Sequence, residues 1–285
     1  VIAKTPDAPE GTRGISLFLV PKFLPKEWES GGLEGLSQEL ADARNGISCS
    51  GIEHKMGIHA SPTCVMNFDG ATGWLVGGEN QGLACMFTMM NDARFQVGLQ
   101  GLGAAEASFQ GALTYARERL QSRAPQAVQQ PDAKADPIVF QPDVARMLLT
   151  QKTLTEGSRA LSLLYAKYMD AEHYGTEDEK LHAGQVLQFL TPVCKAFFTD
   201  MGLETTSLGI QIFGGHGYIR EWGMEQLMRD VRIAQLYEGT NGIQALDLIG
   251  RKLTRDGGNM LKATYDVFAG LVDAMADSDA RQNAQ

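Results

Sequence analysis

Gly98-Leu-Gln-Gly-Leu-Gly-Ala-Ala105 decides how this chain folds, because it can be read in two ways. Its glycines nearly spell a dinucleotide-binding loop, which needs a strand before it and a third glycine in register. Both are missing. From residue 81 to about 122, apolar and small residues recur at helical spacing, and Ala, Met, Leu and Gln replace β-branched types. Small residues on one side of a long helix let a neighbouring helix approach closely, so the stretch is read as helix packing. The pattern predicts one long helix, or two with a break near residues 91–93.

On the N-terminal side, residues 1–78 read as strands and turns. Residues 15–20 form a compact β-rich run, and 46–54 and 63–68 cluster β-formers between Gly, Pro, Asp and Asn breakers. Gly31, Gly32 and Gly35 mark a loop across residues 28–40. This is too little for a barrel or sandwich and reads as a truncated all-β domain. On the C-terminal side, residues 124–137 hold three prolines and form a loop. Helices are predicted at 143–174, entered through Pro142 at a favoured first-turn position, and at 177–207, 225–236, 241–253 and 259–277. The fold class is therefore mostly α: a β remnant, a helical bundle over 79–253 with a four-helix core plus extra helices, and a helical extension from 254 to 285.

The chain has 285 residues, 44% hydrophobic and 21% charged, which excludes a disordered or fibrous protein. Acids outnumber bases 34 to 25, a net charge of −9 that weighs against nucleic-acid binding. No window approaches the ~20 apolar residues of a membrane span. Val1 opens the chain in strand-like sequence without Met, so it reads as a piece with its front removed. Cys49, Cys64, Cys85 and Cys194 are scattered without a C-x-x-C, which predicts buried, reduced thiols and a cytoplasmic location.

The five histidines make no i, i+4 metal pair, no Cys/His/Asp cluster joins them, and no G-x-S-x-G elbow is present. Metal catalysis and acyl-serine chemistry are set aside. Arg117, Glu118, Arg119 and Arg123 form a charge-rich helix end, either a solvated face or an arginine fork for a phosphate. The densest information lies in Gln211-Ile-Phe-Gly-Gly-His-Gly-Tyr218 and Tyr237-Glu-Gly-Thr-Asn-Gly-Ile-Gln244. A helix C-cap explains at most two of Gly214, Gly215 and Gly217, and bare backbone can approach a ligand closely. Thr240 is placed to N-cap a helix beginning at Asn241, leaving Glu238 on a short loop before it.

These two stretches resemble the C-terminal half of the flavin-dependent acyl-CoA dehydrogenases, where Gln-x-x-Gly-Gly-x-Gly is followed by Tyr-Glu-Gly-Thr. Lys55-Met-Gly57 with Ser61 and Thr63, Asn91-Asp-Ala-Arg94 and Tyr115-Ala-Arg-Glu-Arg119 resemble further family motifs in the family's order. The resemblance covers nearly all of residues 1–253, and the continuation Asp247-Leu-Ile-Gly-Arg-Lys-Leu253 is similar to a longer bacterial branch with an extra C-terminal region.

The resemblance implies FAD as cofactor and an acyl-CoA thioester as substrate. It implies Glu238 as catalytic base, removing a Cα proton while a Cβ hydride leaves to the flavin, and giving a trans-2-enoyl-CoA. Arg119 would meet the pyrophosphate of an FAD bound mainly to a neighbouring subunit, Gln211, Gly214 and Gly215 its adenosine half, and Thr240, Asn241 and Gly242 the flavin. Asn91 and Arg94 would contact the CoA portion of the substrate, and Gly239 would leave open the backbone amide that polarises the thioester. An electron-transfer flavoprotein as acceptor and a homo-oligomer, dimer or tetramer, are also implied. The sequence departs from the family pattern after Arg119, where Leu-Gln-Ser-Arg123 and a Pro-rich insertion follow. Some branches carry the base on the residue before Arg94; here it is Ala93, which cannot abstract a proton. An acyl-CoA oxidase, or an inactive flavin-free oligomerising fragment, stays open as an alternative.

Overall fold

A computed structural model describes residues 1–24, 44–254 and 256–283. The loop expected across 28–40, with Gly31, Gly32 and Gly35, lies outside the described residues. Contacts divide the chain into two compact units, Val1–Asp92 and Ala93–Gln285.

In the first unit β1 (Ile2–Lys4), β2 (Ile15–Leu19) and β5 (Trp74–Val76) form an antiparallel sheet in the order β1-β2-β5. A second antiparallel pair joins β3 (Ile47–Ile52) to β4 (Cys64–Phe68), with a register shift between Cys49 and Gly51. β5 was not anticipated: three residues after Gly73 are too few for an alternating pattern to show. Lys55 of the Lys-Met-Gly segment donates to the Ser61 carbonyl at 2.6 Å, tying that turn together. The thiols are less buried than the sequence predicts. Cys49 and Cys64 are exposed on β3 and β4, Cys85 is half-buried, and only Cys194 is buried. Short strands offer one face at most, so β-former content alone did not predict cover. Burial pushes the Cys194 thiol up to about 12, so it is inert.

Helix α1 runs from Gly82 to Glu118 without interruption, so the possible break at residues 91–93 is absent. Within the second unit the remaining helices are α2 (Pro142–Tyr174), α3 (Glu177–Phe213), α4 (Met224–Val231), α5 (Asn241–Asp247) and α6 (Asn259–Asn283). Pro142 enters α2 as its first-turn proline. Thr176 and Glu179 close a capping box on α3, each satisfying the other's backbone N–H. α3 continues past the expected end at 207. Thr205 and Thr206 are poor helix formers, yet both are fully buried and return their hydroxyls to the Met201 and Gly202 carbonyls.

Two apolar clusters fill the bundle. Phe109, Ala112, Met147, Ile212, Phe213 and Met224 join α1, α2, α3 and α4 at one end. Phe95, Tyr165, Val186, Leu190, Phe198 and Ala263 join α1, α2, α3 and α6 at the other. The C-terminal extension thus completes the bundle core through α6. The packing reading of the glycine stretch holds for two of its three glycines. A methyl group on Gly98 would stand 3.2 Å from Phe198 Cδ2, and one on Gly101 only 2.4 Å from the Phe198 carbonyl oxygen. Gly103 faces open space.

The insertion after Arg119 is ordered by one residue. Asp136, fully buried, accepts from the amides of Ala124, Gln129 and Gln130. Those amides, with Arg123 nearby, hold its carboxyl below the usual range of about 3.8. The chain then returns to Arg119, whose carbonyl accepts from Ile138 N–H at 2.9 Å.

Candidate active site and a second pocket

Glu238 sits on the short segment between the 3-10 turn Arg232–Gln235 and α5. Its φ is +55° and that of Gly239 is +86°, two successive residues in the left-handed region. A non-glycine residue held there costs on the order of 1–3 kcal/mol, so the surroundings must hold it. Thr240 caps the following helix as predicted, accepting from Ile243 N–H at 3.3 Å. Gly239 is required twice over, by its φ and by space: a methyl group there would stand 2.8 Å from Gln244 Nε2 and 3.9 Å from Arg94 Nη2. Gly242 has only Thr240 Oγ1 at 3.8 Å, so its backbone is open to a ligand.

What holds the loop is Lys195, in the middle of α3 and fully buried. Its Nζ donates to the Gly239 carbonyl at 2.8 Å and to Asn241 Oδ1 at 2.9 Å. Gln244 Nε2 donates to the same Gly239 carbonyl at 3.0 Å. The Asn241 amide turns the other way, donating to Asp200 Oδ1 at 2.7 Å and Thr199 Oγ1 at 3.0 Å. Hydrogen bonds from a charged donor are worth about 1.5–3 kcal/mol each, enough to offset the strain at Glu238. Burial pulls the Lys195 ammonium down to about 8, with Asp200 and Glu238 opposing the shift and Arg94 adding to it.

Arg94, on α1, is buried against the same loop. Its Nη1 meets Asp247 Oδ2 at 3.4 Å, and Arg251 reaches the other oxygen of Asp247 at 3.4 Å. Tyr237 donates its hydroxyl to Gln100 on α1. Three helices therefore fix the Glu238 segment: α1 through Arg94 and Gln100, α3 through Lys195, and α5 through Gln244 and Asp247.

A second pocket, about 250 Å³, opens where α1 and α3 end; Tyr115, Arg119, Ile138, Phe213, Gly214 and Gly215 are among its walls. Gly214 (φ +60°) and Gly215 both face open space where a Cβ would stand, whereas Gly217 is needed because Ile210 backbone lies 2.4 Å away. Tyr115 stacks on Phe213 with centroids 4.1 Å apart, and its hydroxyl lies 3.0 Å from His216 Nδ1. His216 stacks in turn on Trp222 at 4.6 Å. Arg119 is exposed and makes no ion pair among the described residues. Two helix C-termini present carbonyls here, which suit hydrogen donors such as ribose hydroxyls and an exocyclic amine, and leave anionic charge to Arg119. Bare peptide units, an aromatic wall and one guanidinium fit part of a dinucleotide.

Eighteen residues of α3 separate Lys195 from Phe213, about 27 Å of helix. The structure thus gathers Arg94, Glu238, Gly239, Thr240, Asn241 and Gly242 in one place, and Arg119, Gly214 and Gly215 in another. Gln211 is exposed on the last turn of α3 and does not line the second pocket. Asn91 is exposed on α1. Lys195, Gln244 and Asp247 were not read as site residues. The available signal was a lone charge in the apolar run Phe189 to Phe198, where lysine is rarely buried without a partner. Among the described residues no His/Cys/Asp/Glu group could hold a metal ion, and no helix is long and apolar enough to cross a membrane.

A family model described as the C-terminal domain of acyl-CoA dehydrogenase matches residues 80–254. The chain is 48% identical over 269 residues to the 3-methylmercaptopropionyl-CoA dehydrogenase of Ruegeria pomeroyi, covering 94% of this chain and 44% of that protein. A butyryl-CoA dehydrogenase of Syntrophomonas wolfei is 40% identical over 271 residues, covering 92% of this chain and 42% of that one. The solved structure of Caenorhabditis elegans ACDH-11 in complex with C11-CoA superposes with a TM-score of 0.78 at 25% identity, over 95% of this chain and 41% of that chain. The chain spans less than half the length of these relatives.

Proposed function

This chain belongs to the acyl-CoA dehydrogenase family, and from that premise we propose that it carries the base-bearing bundle of an enzyme that desaturates acyl-CoA thioesters. The observation that supports this most is the conformation of Glu238: a carboxylate at φ +55°, on a loop fixed to α3 and opening α5, beside the unobstructed backbone of Gly242.

Glu238 takes the proton from Cα of the thioester. Its backbone amide, left clear by Gly239, donates to the thioester carbonyl, where negative charge develops as that proton leaves. Thr240, Asn241 and Gly242 would present backbone to the flavin, and Arg119, Gly214 and Gly215 would hold the pyrophosphate and adenosine of an FAD shared with a neighbouring copy, with Gln211 on the adjoining helix turn outside that pocket's wall. Bound FAD supplies the acceptor for the Cβ hydrogen and its electron pair. About 27 Å of α3 runs from Lys195, which holds the Glu238 loop, to Phe213 in the wall of the second pocket, and that separation favours the sharing. A homo-oligomer follows from it, and an electron-transfer flavoprotein is the acceptor that reoxidises the flavin. Asn91 and Arg94 face the CoA portion in this reading. For domain limits we propose the second half of the β domain to residue 78, the bundle over 79–253 and an extension beyond.

The test uses the full-length protein. Purified, it shows a flavin absorption band, and anaerobic butyryl-CoA bleaches it with formation of the trans-2-enoyl thioester. Arg119→Gln lowers flavin content without unfolding the chain. A colourless protein that takes up no added FAD would exclude this function.

A further inference from the structure

Lys195 is an improbable residue for its place. It is fully buried in the middle of α3, next to Cys194 and one turn before Phe198, both also fully buried. Desolvation of an ammonium is costly, and replacing buried charge by apolar groups of similar volume is often neutral or stabilising. A lysine that only filled space would be better as Met. The Gly239 carbonyl does not depend on it for satisfaction, since it also accepts from Gln244 Nε2 at 3.0 Å; Asn241 Oδ1 relies on it more, because the Thr199 hydroxyl nearby gives its proton to the Lys195 carbonyl at 2.8 Å.

What only Lys195 does is bridge. Its two contacts fall on Gly239 and Asn241, on either side of Thr240, and both lead to the rigid centre of one long helix. The Gly239 contact sets the plane of the Gly239–Thr240 peptide, one residue beyond Glu238, in a stretch where Glu238 and Gly239 both have positive φ. The Asn241 contact orients that side chain, so its amide faces Ala196, Thr199 and Asp200. The charged groups around the ammonium are Asp200 on α3, Arg94 on α1 and Glu238 itself.

We propose that Lys195 is a positioning residue for Glu238: it holds the Gly239 peptide and Asn241 so that the carboxylate is aimed at the substrate. This rests on the reading of Glu238 as base. It acts through the loop and is not itself a proton carrier.

The test compares Lys195→Met and Lys195→Gln in the full-length flavin-loaded protein, with Glu238→Gln as control. In Lys195→Met the single-turnover rate constant for flavin reduction by butyryl-CoA falls about 100-fold, while the butyryl-CoA dissociation constant stays within about threefold. Amide hydrogen exchange at residues 239–243 quickens, and the melting temperature does not fall. Lys195→Gln, which keeps a donor without charge, recovers about tenfold of the rate. If Lys195→Met fails to fold, Lys195→Gln carries the test alone, with about a tenfold loss of rate at unchanged affinity. A Lys195 variant within about threefold of the parent rate, or one losing affinity and rate equally, overturns the proposal. Flavin reduction that survives Glu238→Gln would instead remove the reading of the base on which it rests.

Discussion

Lys195 Nζ lies 2.8 Å from the carbonyl oxygen of Gly239, so the Gly239–Thr240 peptide, one residue beyond Glu238, is tied to a charge buried in the centre of α3. The base in this account is carried on a loop but positioned by helices. That arrangement lets a strained residue hold one conformation while its side chain stays half-buried and reachable.

Gly239 and Gly242 contrast a glycine the loop requires with one that has open space around it. Gly239→Ala places a Cβ at φ +86° and 2.8 Å from Gln244 Nε2, and should cost about 1–3 kcal/mol and most of the turnover. Gly242→Ala meets nothing closer than 3.8 Å, and its unfolding free energy should stay within about 0.5 kcal/mol of the parent. Chemical denaturation of both variants beside single-turnover assays checks the contrast.

Arg94 and Asp247 form a buried pair joining residues 153 apart in sequence. Arg251 still faces Asp247 when Arg94 is removed, so Arg94→Ala should cost less than Asp247→Ala, which takes the carboxylate from both arginines. The double variant should cost less than the sum. Additive losses in a double-mutant cycle would show that the two side chains do not depend on one another.

The buried ammonium has a pH signature. Lys195 loses its proton near 8 in the folded chain and near the ordinary 10.5 in the unfolded one. Between those values the unfolded state binds the extra proton, so this group's contribution to stability rises with pH; below about 8 both forms are charged and the folded one carries the full cost of burial. Unfolding free energies measured near pH 7 and near pH 10 should differ by this increment in the parent and lack it in Lys195→Met. Equal pH dependence in the two proteins would contradict a depressed lysine.

Gly101 and Gly103 lie two positions apart on α1 with opposite surroundings. Gly101→Leu drives a side chain into the Phe198 backbone and should prevent α1 and α3 from closing. Gly103→Ala enters open space on an exposed helical position and should stabilise by about 0.5–1 kcal/mol. Thermal unfolding distinguishes them directly.

The helices were legible because apolar period and caps are local. Pro142 and Thr240 announce the starts of α2 and α5, and Gly98 and Gly101 announce a close helix crossing. The end of α3 was placed at 207, six residues early; the helix runs on through Ile212 and Phe213, whose burial against the other helices is a tertiary effect. Glu238 and its glycine were visible as a motif, but the strain at +55° was not, nor were the groups that impose it. Lys195 and Asp247 meet the site only through tertiary contacts, and one sequence without its fold does not pair them. The exposed Cys49 and Cys64 mark the same limit in the strands, where composition shows β-formers but not which face is covered.

The most direct measurement is anaerobic single-turnover flavin reduction in Glu238→Gln of the full-length protein, with butyryl-CoA as reductant. The variant should bind flavin and butyryl-CoA like the parent, and its flavin band should not bleach. Bleaching at a rate near the parent's would contradict Glu238 as the base.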